Sequence, residues 1–133
     1  MSKKQEYKER NEAFLRELQN DQEVMTLAKG ISYRPLQHGE SERKPLRNSV
    51  VTVHYQGRLI NGRIFDDSRK RNCPEAFRLT DVIEGWQIAL QHMSVGDRWE
   101  IYIPASMGYG SRTSGDIPGN STLIFDVELL GIA

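Results

Sequence analysis

The chain has 133 residues, 38% of them apolar and 27% charged, enough for one domain and a short appendage. Eighteen basic residues against eighteen acidic give a formal net charge of zero, which argues against a general nucleic-acid or anionic-membrane binder. No apolar run approaches the roughly 18 residues of a membrane span, and the single cysteine, Cys73, leaves no internal disulfide framework or multi-cysteine metal site.

The N-terminus, M-S-K-K-Q-E-Y-K-E-R, has no apolar stretch behind its lysines, so it does not read as a secretory signal. The expected compartment is cytoplasmic, or periplasmic if a leader has been removed. Residues 3–28 are charged and helically spaced. Tyr7, Phe14 and Leu18 fall seven and four apart with Leu15 beside them, and Val24, Met25 and Ala28 continue the stripe. This predicts one or two amphipathic helices, with Gly30 as the stop. The stripe can pack on its own domain or serve as a partner or homodimer helix. The first reading stands slightly ahead, because the stripe is too short for a sustained coiled coil.

After Gly30 the period changes to two. Val51, Val53 and Tyr55 share one face of the stretch 50–59, Trp99, Ile101 and Ile103 one face of 98–104, and Leu123, Phe125, Val127 and Leu129 one face of 122–130. These patterns predict half-buried strands. Ile31 and Tyr33 start a weaker strand limited by Pro35. Asn61-Gly62 predicts a hairpin between antiparallel strands. One later segment, with Trp86, Ala89, Leu90 and Met93, has helical spacing, with Thr80 or Asp81 as candidate caps and Gly96 closing the turn that follows. The glycine-rich stretch 108–120 reads as a loop. The whole is an α+β domain over 30–133, with a helical extension over 1–29.

Most catalytic chemistry lacks an anchor. There is no G-x-S-x-G elbow, and His38, His54 and His92 lack metal-ligand spacing. G-Y-G-S-R-T at 108–113 is a poor phosphate cradle without a following helix. Cys73 reads as an unremarkable free thiol. What remains is a set of apolar residues at strand ends and turns: Tyr55, Phe65, Phe77, Val82, Ile83, Trp86, Tyr109 and Phe125. Singly, each suits a core. As a set they adjoin Asp66 and Arg71, a carboxylate and a guanidinium fit to form a fixed polar pair at a pocket edge. On spacing alone, Asp66 and Arg71 also fit a plain ion pair.

V-H-Y-Q-G-R-L, G-R-I-F-D-D-S, V-I-E-G-W, M-G-Y-G and L-I-F-D-V-E-L-L occur in this order. Together they resemble the successive motifs of FKBP-type peptidyl-prolyl cis–trans isomerases, over about residues 30–132. The charged helical leader with N-E-A-F-L is similar to the bacterial macrophage infectivity potentiator branch, in which an N-terminal helical region often dimerises. The resemblance implies an antiparallel half-barrel sheet of five or six strands wrapped around one short helix. It also implies a proline-binding pocket, with Trp86 as floor and Tyr55, Phe65, Phe77, Val82, Ile83 and Phe125 as walls. Tyr109 and Asp66 would be polar contacts, the Ile83 N–H a donor to a substrate carbonyl, and Arg71 the residue that orients Asp66. Such an enzyme needs no metal and no cofactor. Its partners are proline-containing polypeptides and macrolides of the tacrolimus and rapamycin type.

Two positions depart from the family pattern. Glu75 and Met107 fall where many relatives carry rim aromatics, so a carboxylate at the rim is expected to favour a basic residue near the substrate proline. Two functions are carried forward: an isomerase that assists folding, and a proline-recognition or chaperone module with incidental catalysis.

Overall fold

Ser2 opens the first helix by accepting the Gln5 N–H on its side chain at 3.1 Å, and α1 then runs Lys3–Leu18 in the computed structural model, which describes residues 1–133. Of the one or two helices expected over residues 3–28, the chain forms one. Asn20 and Asp21 follow the last helical turn, and Asp21 Oδ1 takes the Glu23 N–H at 2.9 Å, a local turn that competes with helix. Arg34 then holds Asp21 at 2.5 Å and Glu23 at 3.0 Å. Met25 accordingly sits half exposed in a two-residue strand, β1 (Met25–Thr26), and Ala28 opens a one-turn 3-10 helix that ends at Gly30.

α1 packs against its own domain. Its inward face carries Tyr7, Asn11 and Phe14. The Tyr7 hydroxyl lies 2.6 Å from Ser121 Oγ, and the Phe14 ring lies 6.2 Å from that of Tyr102. Asn11, between them, is only 2% exposed; its Oδ1 accepts the Thr122 N–H at 2.7 Å. Replacing Asn11 by alanine strands that buried N–H. Such a loss costs about 1–3 kcal/mol, and it is expected as a lower urea midpoint with an unchanged slope.

The sheet comprises β1, β2 (Ser32–Gln37), β3 (Val50–Arg58), β4 (Ile64–Asp67), β5 (Glu75–Arg78), β6 (Arg98–Ile103) and β7 (Leu123–Ile132). The order is β1-β2-β6-β7-β3-β4, β5 also pairs with β3, and every pairing is antiparallel. β1 adds to the expected five or six strands from outside the region of resemblance. Pro35 is accommodated at a bulge between Pro35 and Gln37. Asn61-Gly62 lies between antiparallel β3 and β4 as expected, but not as a two-residue turn: the Leu59 N–H donates to the Arg63 carbonyl at 2.9 Å, leaving three residues in the loop.

The alternating residues face one core. Val51, Val53, Ile101, Ile103, Leu123, Val127 and Leu129 are fully buried, while Asp126 and Glu128 point away from it and pair with Arg98 and Arg69. α2 (Glu84–Leu90) covers that face with Trp86, Ala89 and Leu90. Its backbone comes so close to β6 that a Cβ on Gly85 would lie 2.5 Å from the Ile103 side chain. Thr80 and Asp81 do not cap this helix. They belong to a one-turn 3-10 helix, Leu79–Asp81, and Ile83 occupies the cap position without a side-chain bond.

Candidate active site

The site begins with a strand residue that has no side chain. Gly57 on β3 stands opposite Asp66 of β4 and Phe125 of β7. Without a Cβ there, the Phe65 and Phe125 rings close over the β3 backbone and meet edge to face, with centroids 5.6 Å apart. Trp86 rises from the first turn of α2 beneath them. Tyr55, Phe77 and Phe125 surround it, with centroids 5.2, 5.5 and 5.3 Å away and rings nearly perpendicular to the indole.

These rings enclose a cavity of about 380 Å³, toward the small end of ligand sites, and eight of its ten lining residues are hydrophobic. The lining brings together Tyr55, Phe65, Asp66, Phe77, Val82, Ile83, Trp86, Tyr109 and Phe125, all singled out from the sequence, and adds Asp81. Arg71 does not line the cavity. It reaches Asp66 from outside, and Asp66 is bonded a second time by the Tyr55 hydroxyl. Burial raises the Asp66 pKa, but the hydrogen bonds from Tyr55 and Arg71 and the Arg71 charge outweigh it, so the carboxyl is held below its ordinary range. Burial, then the bond to Asp66, pushes the Tyr55 hydroxyl up to about 12. Tyr109 is 43% exposed at the mouth, in the loop after the 3-10 turn Ala105–Met107.

Two parts of the site were not read from the sequence as such. Ser68 is completely buried at the end of β4. Its Oγ accepts the Tyr55 N–H at 2.7 Å and its own N–H donates to the Tyr55 carbonyl at 2.9 Å, so it fixes the backbone beneath Tyr55. Asp81 enters the lining through the 3-10 turn that precedes Val82 and Ile83. On past Asp81, the Ile83 N–H has no partner within the chain, while Gln87 Nε2 holds the Val82 carbonyl at 2.8 Å.

The expected rim is corrected at both departures. Glu75 shares the face of β5 with Phe77 but does not line the cavity; its carboxylate accepts from Arg71 Nη2 at 3.2 Å, sharing with Asp66 the one guanidinium that holds both. Met107 packs on the core below the loop and offers no thioether to the cavity.

The fold is an antiparallel half-barrel covered by one helix, with an aromatic cavity and a tethered carboxylate at its edge. Residues 41–130 match the family model of the FKBP-type peptidyl-prolyl cis-trans isomerases. The chain is 46% identical over 125 residues to the peptidyl-prolyl cis-trans isomerase Mip of Coxiella burnetii, covering 93% of this chain and 54% of that protein. Its fold superposes with a TM-score of 0.91 on a peptidyl-prolyl cis-trans isomerase from Pseudomonas syringae, at 35% identity, covering 100% of this chain and 98% of that one. The crystal structure of FkpA from Escherichia coli gives a TM-score of 0.90 at 35% identity, covering 96% of this chain and 59% of that one. The chain belongs to the FKBP-type peptidyl-prolyl cis-trans isomerase family. It spans about half the length of the curated relatives it matches, between 43% and 56% for the first four.

Proposed function

We propose that this protein accelerates rotation about X–Pro peptide bonds by enclosing the prolyl ring in the cavity floored by Trp86. The observation that carries this is the box of Tyr55, Phe77 and Phe125 around Trp86, open at the edge where Asp66 is fixed. Rotation must lose amide resonance, a barrier of about 18–20 kcal/mol. No σ-bond breaks, so neither a nucleophile nor a proton-transfer base is required. The planar amide is more charge-separated than the twisted one, so an apolar enclosure disfavours the ground state relative to the transition state. A thousandfold gain corresponds to about 4 kcal/mol, within reach of that enclosure and a hydrogen bond from the free Ile83 N–H.

In this reading Tyr55 and Tyr109 contact the polypeptide beside the ring, Phe65 and Val82 complete the walls, and Asp66 acts electrostatically on the rotating carbonyl region while Arg71 fixes its orientation. Macrolides of the tacrolimus and rapamycin type are proposed to occupy the same cavity. A proline-recognition module is the second reading. The restraint of Asp66 by both Tyr55 and Arg71 favours catalysis, because binding an apolar ring needs no oriented charge. Titrating the isotopically labelled protein with Ala-Leu-Pro-Phe tests the placement. The Ile83 amide and Trp86 indole resonances are expected to move first, and shifts confined to other surfaces would overturn it.

The pH dependence follows from the same two groups. A lowered Asp66 pKa contributes stability that is present above the ordinary carboxylate value of about 4 and is lost as pH falls through the folded value. A raised Tyr55 pKa contributes stability that is present below the ordinary value of about 10 and is lost as pH rises through about 12. Peptide turnover is therefore expected to be flat from about pH 5 to about pH 9. A bell-shaped profile within that window would place a further titrating group in the rate-limiting step.

A further inference from the structure

The two carboxylates that line the cavity stand in different electrostatic situations. Asp66 is engaged by the Tyr55 hydroxyl and by the Arg71 guanidinium. Asp81 is exposed at the end of its 3-10 turn and enters none of the chain's eight salt bridges. Arg78, the nearest basic residue in sequence, donates instead to the Asn48 carbonyl at 3.1 Å. Glu75 is answered by Arg71. Asp81 is therefore the one lining carboxylate whose charge no side chain of the protein meets, and it adjoins apolar walls that strengthen its field.

Its position gives the charge a use. Asp81 lies two residues before Ile83, whose N–H is free, and two residues of extended chain span about 7 Å. A lysine or arginine stem covers such a distance while keeping its head in water. Resting on the isomerase reading above, we propose that Asp81 is a specificity-determining residue that selects polypeptides carrying Lys or Arg on a residue adjoining the proline. The selection acts on association. The cation meets Asp81 while the prolyl ring enters the aromatic box, so the preference belongs in KM rather than in kcat.

Four tetrapeptides test this, with Lys or Gln placed either before or after proline, assayed by exchange NMR with the whole protein at low and high salt. At about 10 mM salt the Debye length is about 30 Å, and at about 1 M it is about 3 Å. Lys is expected to exceed Gln about two- to fivefold in kcat/KM at one of the two positions at low salt, the gain an exposed ion pair delivers. The ratio is expected to fall to about one at high salt. It should also fall to one in Asp81→Asn, reverse in favour of Gln in Asp81→Lys, and persist in Glu75→Gln. Equal Lys and Gln rates at both positions at low salt would overturn the role of Asp81, as would a preference that survives Asp81→Asn or disappears in Glu75→Gln. If no peptide is accelerated, the isomerase reading itself fails and takes this one with it, an outcome distinct from acceleration without preference.

Discussion

Replacing Trp86 by alanine is expected to lower stability by roughly 3–5 kcal/mol, the range for removing a large buried aromatic, and to remove peptide binding as well. Both losses come from one position. Trp86 is 4% exposed, faces Tyr55, Phe77 and Phe125 edge to face, and belongs to the central core cluster through α2. Asp66→Ala should separate the two effects. It lies at the cavity edge, half-buried, so turnover should fall while stability, which loses the Tyr55 and Arg71 bonds but no core packing, falls less than in Trp86→Ala. Chemical denaturation and peptide titration of both variants check the ordering. An Asp66→Ala protein less stable than Trp86→Ala would contradict the division between floor and edge.

The second large effect falls on a residue with no side chain. A Cβ at Gly57 would lie 2.6 Å from Phe65 Cζ and 2.7 Å from Phe125 Cε1, closer than real contacts permit. Both rings are cavity walls, so Gly57→Ala must displace them or the β3 backbone between β4 and β7. Overpacking of this kind costs about 1–3 kcal/mol, and here the displaced atoms are those that shape the cavity. Turnover is expected to drop more than stability. Gly131→Ala is the control on a neighbouring strand, where nothing lies within 4 Å of the added methyl, and it is expected to be nearly silent in both measurements. Equal losses in the two variants would show that the rings tolerate the methyl.

Much of this architecture is legible in the sequence, for identifiable reasons. β3 alternates strictly because one face of it is buried, and β6 and β7 keep the same period on their core face although Tyr102 and Ile124, on the other face, are buried as well. The single helical repeat at Trp86, Ala89 and Leu90 is likewise the footprint of α2 on the core. β5 is not visible, because Glu75–Arg78 is a short strand pairing along one side of β3, with no apolar alternation to declare it. The helical stripe misled where it crossed Asn20-Asp21, since side-chain turn chemistry overrides spacing. Asn11, whose buried side chain bonds α1 to Thr122, is polar and so invisible to an apolar pattern.

The site shows the same division. Its aromatic residues lie in separate sequence motifs, and the cavity brings them together. Its charges required geometry. Glu75 precedes Phe77 by two residues in sequence, yet its partner is Arg71, whereas Asp81 reads as a helix cap and instead lines the cavity. Ser68 follows the Asp-Asp pair as an ordinary turn residue, and only the fold turns its hydroxyl under Tyr55. Sequence period reports which side chains are apolar and facing inward. It does not report which polar group will find which partner, because those choices depend on contacts between separate elements.

The central claim is that this aromatic box speeds rotation about an X–Pro bond, and exchange NMR on Ala-Leu-Pro-Phe measures that rotation without any coupled reaction. With protein far below peptide concentration, cis and trans resonances are expected to interchange much faster than in buffer alone. The acceleration should vanish in Trp86→Ala and be strongly reduced in Gly57→Ala at equal folded concentration. Peptide that binds, shifting the Ile83 amide, while its isomers interchange no faster than in buffer would contradict the claim and leave a module that recognises proline without isomerising it.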